Sequence, residues 1–218
     1  MGAKRSSRQL WTAKLRDQAL PSRPLGGKIV SSMSISHSGS AIYDSKGSTE
    51  AHLKTSLSPF RGCILGVDPS LRKTGIAIID YQGNKAIHLL HSRALPFKSS
   101  IPFPTCLAEI AKTLYQLIRE YPVQHLALEQ TIFVQNHKTA QIMGAVRGAI
   151  IATAALQGLP VFEYPPLRIK QALTGFGRAS KEQLAKTVAQ ILKIPFNFSL
   201  DEGDAAAAAL CHAFTHKL

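Results

Sequence analysis

Two apolar runs constrain this chain more than any other feature: Cys63 to Asp68 (CILGVD) and Thr74 to Asp80 (TGIAIID), joined by PSLRK. Neither run alternates polar with apolar. The first reads as a short buried strand and the second, after the turn, as a second strand. The five-residue spacing is that of a hairpin, so the sheet begins antiparallel. Ala86 to Phe97 alternates well enough for a third strand.

After this meander the period changes. Thr105 to Glu120 places Leu107, Ile110, Leu114, Leu117 and Ile118 on one helical face. HLALE, ending at Glu129, is a fourth, buried strand. Lys138 to Gln157 is a long Ala/Gly-rich helix in which Gly144 and Gly148 permit close packing, at about 1 kcal/mol of helix propensity each. Leu159 to Tyr164 is a fifth strand, stopped by Pro165-Pro166. Three helices follow: Pro166–Thr174, Ser180–Leu192 with Ser180 as N-cap, and Leu200–His216. The expected fold class is α/β, a five-stranded mixed sheet flanked by helices.

Residues 1–62 differ from residues 63–218 in kind. They hold 13 serines and 10 Lys/Arg against 3 acids, and SSMSISHSGSAIYDSKGSTE has no apolar period. We expect a disordered, basic, Ser-rich extension followed by one domain. A nucleic-acid-binding arm, a transit peptide and an upstream mis-assigned start are the competing readings of that block. The apolar stretches Gly148–Leu156 and Ala205–Cys211 fall well short of the roughly 18 residues that span a bilayer. Cys63, Cys106 and Cys211 are isolated, without a CxxC pair, and read as buried reduced thiols of a cytoplasmic protein.

The net charge of +13 points to a polyanion, most simply nucleic acid. Against that background the few acids stand out. Asp68 ends the first strand and Glu129 the fourth. Asp201 and Asp204, three apart, open the last helix on one side. In open α/β sheets the site lies beyond the carboxyl ends of strands. Clustered carboxylates repel unless a cation stands between them, either lysine or divalent metal. Oxygen-only ligation suits Mg²⁺ or Mn²⁺. Each acid also has an ordinary reading, as a solvated turn residue or as a favourable charge at a helix N-terminus. His137, His212 and His216 show no metal-ligand spacing with one another, and His212 reads as a core or surface residue of the last helix.

Four segments, ILGVDPSLRKTGIAIID, LALEQTIFVQNHKTAQIMGAVRGAI, PVFEYPPLRIKQALTGFGRASKEQLAK and DEGDAAAAALCHAF, resemble in order and spacing the bacterial RuvC Holliday-junction resolvases, over about residues 63–216. The resemblance implies an RNase H-like fold. It implies a homodimeric endonuclease that nicks four-way junction DNA symmetrically with Mg²⁺ or Mn²⁺, two ions per site, leaving 5′-phosphate ends. It implies partnership with the RuvA–RuvB branch-migration complex. By position the family's catalytic, metal-binding tetrad falls on Asp68, Glu129, Asp201 and Asp204, and its two lysines on Lys170 and Lys181. Arg72 and Lys73 in the first turn would lie near DNA. Two departures are visible. The family's base-stacking aromatic, three residues after the Glu, is Ile132 here, with Phe133 next to it. Ser70 replaces a common glycine. The alternatives are an RNase H-like nuclease on another substrate such as an RNA–DNA hybrid, a sugar-kinase-like phosphotransferase, and a non-catalytic junction-binding protein.

Overall fold

The computed structural model describes residues 60–130, 136–195 and 199–217. Five strands form one sheet: β1 Gly62–Asp68, β2 Lys73–Tyr81, β3 Ile87–Pro96, β4 Val123–Glu129 and β5 Val161–Tyr164. The spatial order is β3-β2-β1-β4-β5. β1 pairs antiparallel with β2, and β2 with β3, as the short turn requires. β4 runs parallel to β1, and β5 to β4, because helices cross over between them. The helices are α1 Phe103–Glu120, α2 His137–Leu156, α3 Pro166–Thr174, α4 Lys181–Leu192 and α5 Leu200–Thr215. The mixed α/β sandwich expected from the sequence is the observed one, with boundaries shifted by up to two residues.

The two-residue period of a strand decides what each face carries. From β1 and β4, Cys63, Leu65, Val67, Leu126 and Leu128 point to a core shared with α1 and α2. Ile64 and Ala127 point the other way, to a core built around α5. Central β1 is buried on both sides, which is why its sequence is continuously apolar. α5 lies very close to the sheet, with Ala205 through Ala209 all buried. A methyl group is the largest side chain such a gap accepts. Gly66 and Gly75 complete the fit. A Cβ at Gly66 would stand 2.1 Å from the Ala205 carbonyl oxygen, and one at Gly75 would stand 2.0 Å from that of Asp201.

Local signals fix the helix ends. Ser180 caps α4 in a full capping box: its hydroxyl accepts from the Gln183 amide, and the Gln183 side chain accepts from the Ser180 amide. α3 starts at Pro166 and stops at Gly175, whose φ of 72° suits glycine. Phe60, just before β1, is buried in the α5-side core.

α2 behaves differently from the other helices. Only Val146, Ile150, Thr153 and Ala154 are buried. Added Cβ atoms at Gly144 and Gly148 would meet nothing within 4 Å. The close packing expected of these glycines is therefore absent among the described residues. Among the described residues, α2 is the one helix long and apolar enough to cross a membrane, and little of it is covered. Arg147 of α2 pairs with Glu163 on β5.

Arg72 follows β1 but does not point freely to solvent. Its guanidinium donates to the carbonyls of Lys98 (2.8 Å), Ile101 (3.0 Å) and Ser99 (3.4 Å). It thereby holds the β3–α1 connection closed. Arg72→Ala should cost about 1–2 kcal/mol, since three carbonyls lose a charged donor at a partly wet site. Urea denaturation checks this, and an unchanged midpoint would contradict it.

Candidate active site

Strand alternation assembles the site. Asp68 has the parity of Ile64 and Gly66, and Glu129 that of Ala127, so both face α5. The parallel β1–β4 register pairs Val67 with Leu128, leaving Asp68 and Glu129 side by side at adjacent strand ends. Neighbouring strands lie about 4.8 Å apart. Gly75 pairs with Asp68 across β1–β2, and the Asp201 backbone rests against Gly75. The N-terminus of α5 is thus pressed onto the same corner. Ser199 caps it, accepting from the Glu202 amide. Three elements spread over more than 130 residues of sequence deliver four carboxylates to one end of the sheet.

The electrostatics are those of a crowded anionic pocket. Asp68 is pushed up to about 8, first by burial and then by Glu129, Asp204 and Asp201, with Lys181 opposing. Glu129 is pushed up to about 7, by burial and Asp204, against the pull of Lys181 and Lys170. Both expected lysines therefore face the acids. Lys181 Nζ lies 3.3 Å from Asp204 Oδ2. Lys73 Nζ lies 2.5 Å from Asp201 Oδ2. That oxygen is buried, and the Lys73 ammonium is its charged partner.

Two of the four acids are consequently held by lysine, one of the two cations the sequence left open. Among the described residues, Asp68 and Glu129 have no such direct partner. Four carboxylates, oxygen-only donors and two acids driven towards neutrality fit a hard divalent cation. The four do not close round a single point. Among the described residues, no three of these acids lie within common reach of one ion, whereas three histidines elsewhere do.

A titration follows. The ordinary values of Asp68 and Glu129 are 3.8 and 4.5. Between those values and pH 7–8 the native state binds more protons than the unfolded chain, so stability falls as pH rises. The contribution is complete below about pH 4 and gone above about pH 8. In chelator, the melting temperature should decline from pH 5 to pH 8.5, and millimolar divalent cation should recover most of the loss at the upper end. A flat profile would contradict the crowding.

The other sequence candidates fare variously. Lys73 is drawn into the acid pair rather than left free, and Arg72 is committed to backbone carbonyls. Phe133 and Ile132 lie outside the described residues. The sequence reading missed the lysine partners of Asp201 and Asp204. Alternation offered a signal for one of them, because Lys73 shares the parity of Gly75.

The family model for "Crossover junction endodeoxyribonuclease RuvC" matches residues 64–212. The protein of that name from Citrifermentans bemidjiense is 40% identical over 150 residues, covering 69% of this chain and 91% of that protein. Its namesake from Shewanella amazonensis is 40% identical over 154 residues, covering 71% and 88%. The structure of T. thermophilus RuvC in complex with a Holliday junction substrate superimposes with a TM-score of 0.67 at 28% identity, covering 70% of this chain and 93% of that one. With five strands in the expected order and the matched segment running from β1 into α5, this chain belongs to the RuvC family of crossover junction endodeoxyribonucleases.

Proposed function

We propose that this chain resolves four-way DNA junctions by hydrolysing one phosphodiester in each of two opposed strands, with Asp68, Glu129, Asp201 and Asp204 as its cation-binding tetrad. The observation that carries the reading is the convergence of β1, β4 and the α5 N-terminus on one acidic corner of a strongly basic chain. Mg²⁺ or Mn²⁺, two ions per site in our reading, supplies a nucleophilic water at neutral pH and stabilises charge on the leaving oxygen.

The chain's own side chains do the rest. Asp68 and Glu129, half-buried and short of positive partners, bind the cations and fix where the scissile phosphate must lie. Lys73 and Lys181 hold Asp201 and Asp204 apart from their fellow acids until cation and substrate arrive. Released, Lys181 can donate to a phosphate oxygen at the pocket rim, and Lys170, which already faces Glu129, adds charge at the scissile position. Arg72 serves by shaping the neighbouring loop. Phe133, with Ile132 beside it, remains our candidate for stacking on an opened base.

The uncovered apolar face of α2 fits a second copy of the chain. A two-fold dimer presents two acidic corners to a two-fold junction. Gly144 and Gly148 leave room for the close approach. Gly148→Arg should convert a dimer into a monomer in light scattering, and an unchanged mass would place the interface elsewhere. We retain residues 1–62 as an extension and 63–218 as the nuclease domain, acting in the cytoplasm with the RuvA–RuvB machine.

The test is cleavage of a mobile four-way junction, with both strand pairs labelled, under titrated Mg²⁺ and Mn²⁺. Paired, metal-dependent nicks are expected. Equal or faster cutting of an RNA–DNA hybrid would reassign the substrate. Junction binding without nicking would leave a non-catalytic binder.

A further inference from the structure

The opposite end of β4 carries a second cluster that the nuclease reading does not use. His125, on the α5 face of β4, meets His212 and His216 of the last helix and its cap. One ring nitrogen from each lies within 4.8 Å of the other two. His125 Nδ1 and His212 Nε2 are 2.9 Å apart. His212 Nδ1 is hydrogen-bonded to the Tyr164 hydroxyl at 2.7 Å. Phe60 and Phe162 wall the group, with ring centroids 4.6–6.1 Å from the imidazoles. His212 is fully buried, while His125 and His216 are part exposed.

We propose that His125, His212 and His216 form a transition-metal site of the Zn²⁺ class, distinct from the acidic corner.

Three arguments carry it. The first is ligand geometry. Tetrahedral Zn²⁺ with bonds of 2.0–2.1 Å sets its nitrogens about 3.3 Å apart. The His125–His212 pair needs to open by a few tenths of an ångström. His216 now stacks on His212 at 4.5 Å and 17°, an orientation in which one ion cannot lie in both ring planes. Its ring must turn, and its position at the extended C-cap of α5 permits that.

The second is the outer shell. A ligating histidine characteristically hydrogen-bonds through its other nitrogen. Tyr164 supplies that partner for His212 and leaves Nε2 to face the cluster. The third is proton competition. Burial and the neighbouring imidazoles lower both His212 and His125, so both rings are neutral at neutral pH and a metal need only shift the one proton that they share in their hydrogen bond to an outward-facing ring nitrogen. Three imidazoles in an aromatic box select borderline cations over Mg²⁺. Part-exposed His125 and His216 leave a fourth position for water.

The site is remote from the acids. His125 precedes Glu129 by four strand residues, about 13 Å, and His212 follows Asp204 by eight helical residues, about 12 Å. An ion here would tie β4 to the end of α5. Phe60, whose amide donates to the His216 carbonyl at 3.3 Å, would be held with them.

Tag-free, chelator-stripped full-length protein should be titrated with Co²⁺, followed by its visible ligand-field bands, and then with Zn²⁺. One Co²⁺ per chain with tetrahedral bands is expected, displaced by one Zn²⁺, with a rise in melting temperature at pH 6 beyond the one that Mg²⁺ gives through the acidic corner. The Asp68→Asn/Asp204→Asn variant should keep both signals. His216→Gln should weaken affinity about tenfold or more, and His125→Gln/His216→Gln should abolish it while circular dichroism stays native. Binding that survives the histidine double variant, binding lost in the aspartate variant, or no saturable uptake by the wild type would each overturn the site. None of these outcomes depends on junction cleavage.

Discussion

Asp68→Asn should abolish junction nicking, by at least about a thousandfold or ~4 kcal/mol of barrier, while making the metal-free protein more stable at alkaline pH. The two effects share one cause. Asp68 is buried beside Glu129, Asp204 and Asp201, and its pKa is pushed up to about 8. At 1.36 kcal/mol per unit, that elevation corresponds to at most about 6 kcal/mol of unfavourable charge burial. The strain is shared among coupled carboxylates, so a gain of ~2 kcal/mol at pH 8.5 in chelator is expected from the neutral isostere. At pH 5 the native Asp68 is already protonated and the gain should shrink. Junction affinity should stay near that of the wild type, because phosphate contacts dominate it. Chemical denaturation at the two pH values, beside a nicking assay, separates this account from a structural one. A variant that is inactive and also destabilised at pH 8.5 would make Asp68 a structural residue.

Gly75→Ala should damage both fold and activity without touching an acid. Its Cβ would lie 2.0 Å from the Asp201 carbonyl oxygen and 2.5 Å from its carbon, backbone atoms that no rotamer can move. The N-terminus of α5 must retreat by about 1 Å. We expect a loss of 2–3 kcal/mol, in the range for overpacked cores. A displacement of that size at a positioned group costs about 100-fold in rate. Gly66→Ala meets Ala205 and Ala209 further along α5 and should cost similar stability with a smaller loss of activity. Activity falling equally in both would mean that α5 moves as a rigid rod. Full activity in Gly75→Ala would mean that Asp201 is dispensable.

The legible parts of the molecule were those that local chemistry decides. The apolar runs marked β1 and β2 as strands, and Ser180 announced the start of α4. Asp68 and Glu129 stood out because a carboxylate ending a buried strand in a basic chain is unusual. The DNA-contact roles of individual residues came from family resemblance.

What could not be read depends on contacts across the chain. Lys73 pairs with Asp201, 128 positions away, only because β2 and α5 share a corner. Arg72 looked free for DNA until the β3–α1 loop folded beneath it. His212 and His216 sit one helical turn apart, but their third partner lies on β4, and no periodicity links it to them. Gly66 and Gly75 look like strand-weakening residues until α5 is laid against them.

The central claim is that four carboxylates from three separate segments form one cation pocket guarded by lysines. Anomalous diffraction from crystals soaked in Mn²⁺ tests it most directly. Manganese peaks are expected among Asp68, Glu129, Asp201 and Asp204, with the Lys73 and Lys181 ammoniums swung away from Asp201 and Asp204. Crystals that hold no manganese there at millimolar concentration, with both lysines still seated on their aspartates, would contradict it.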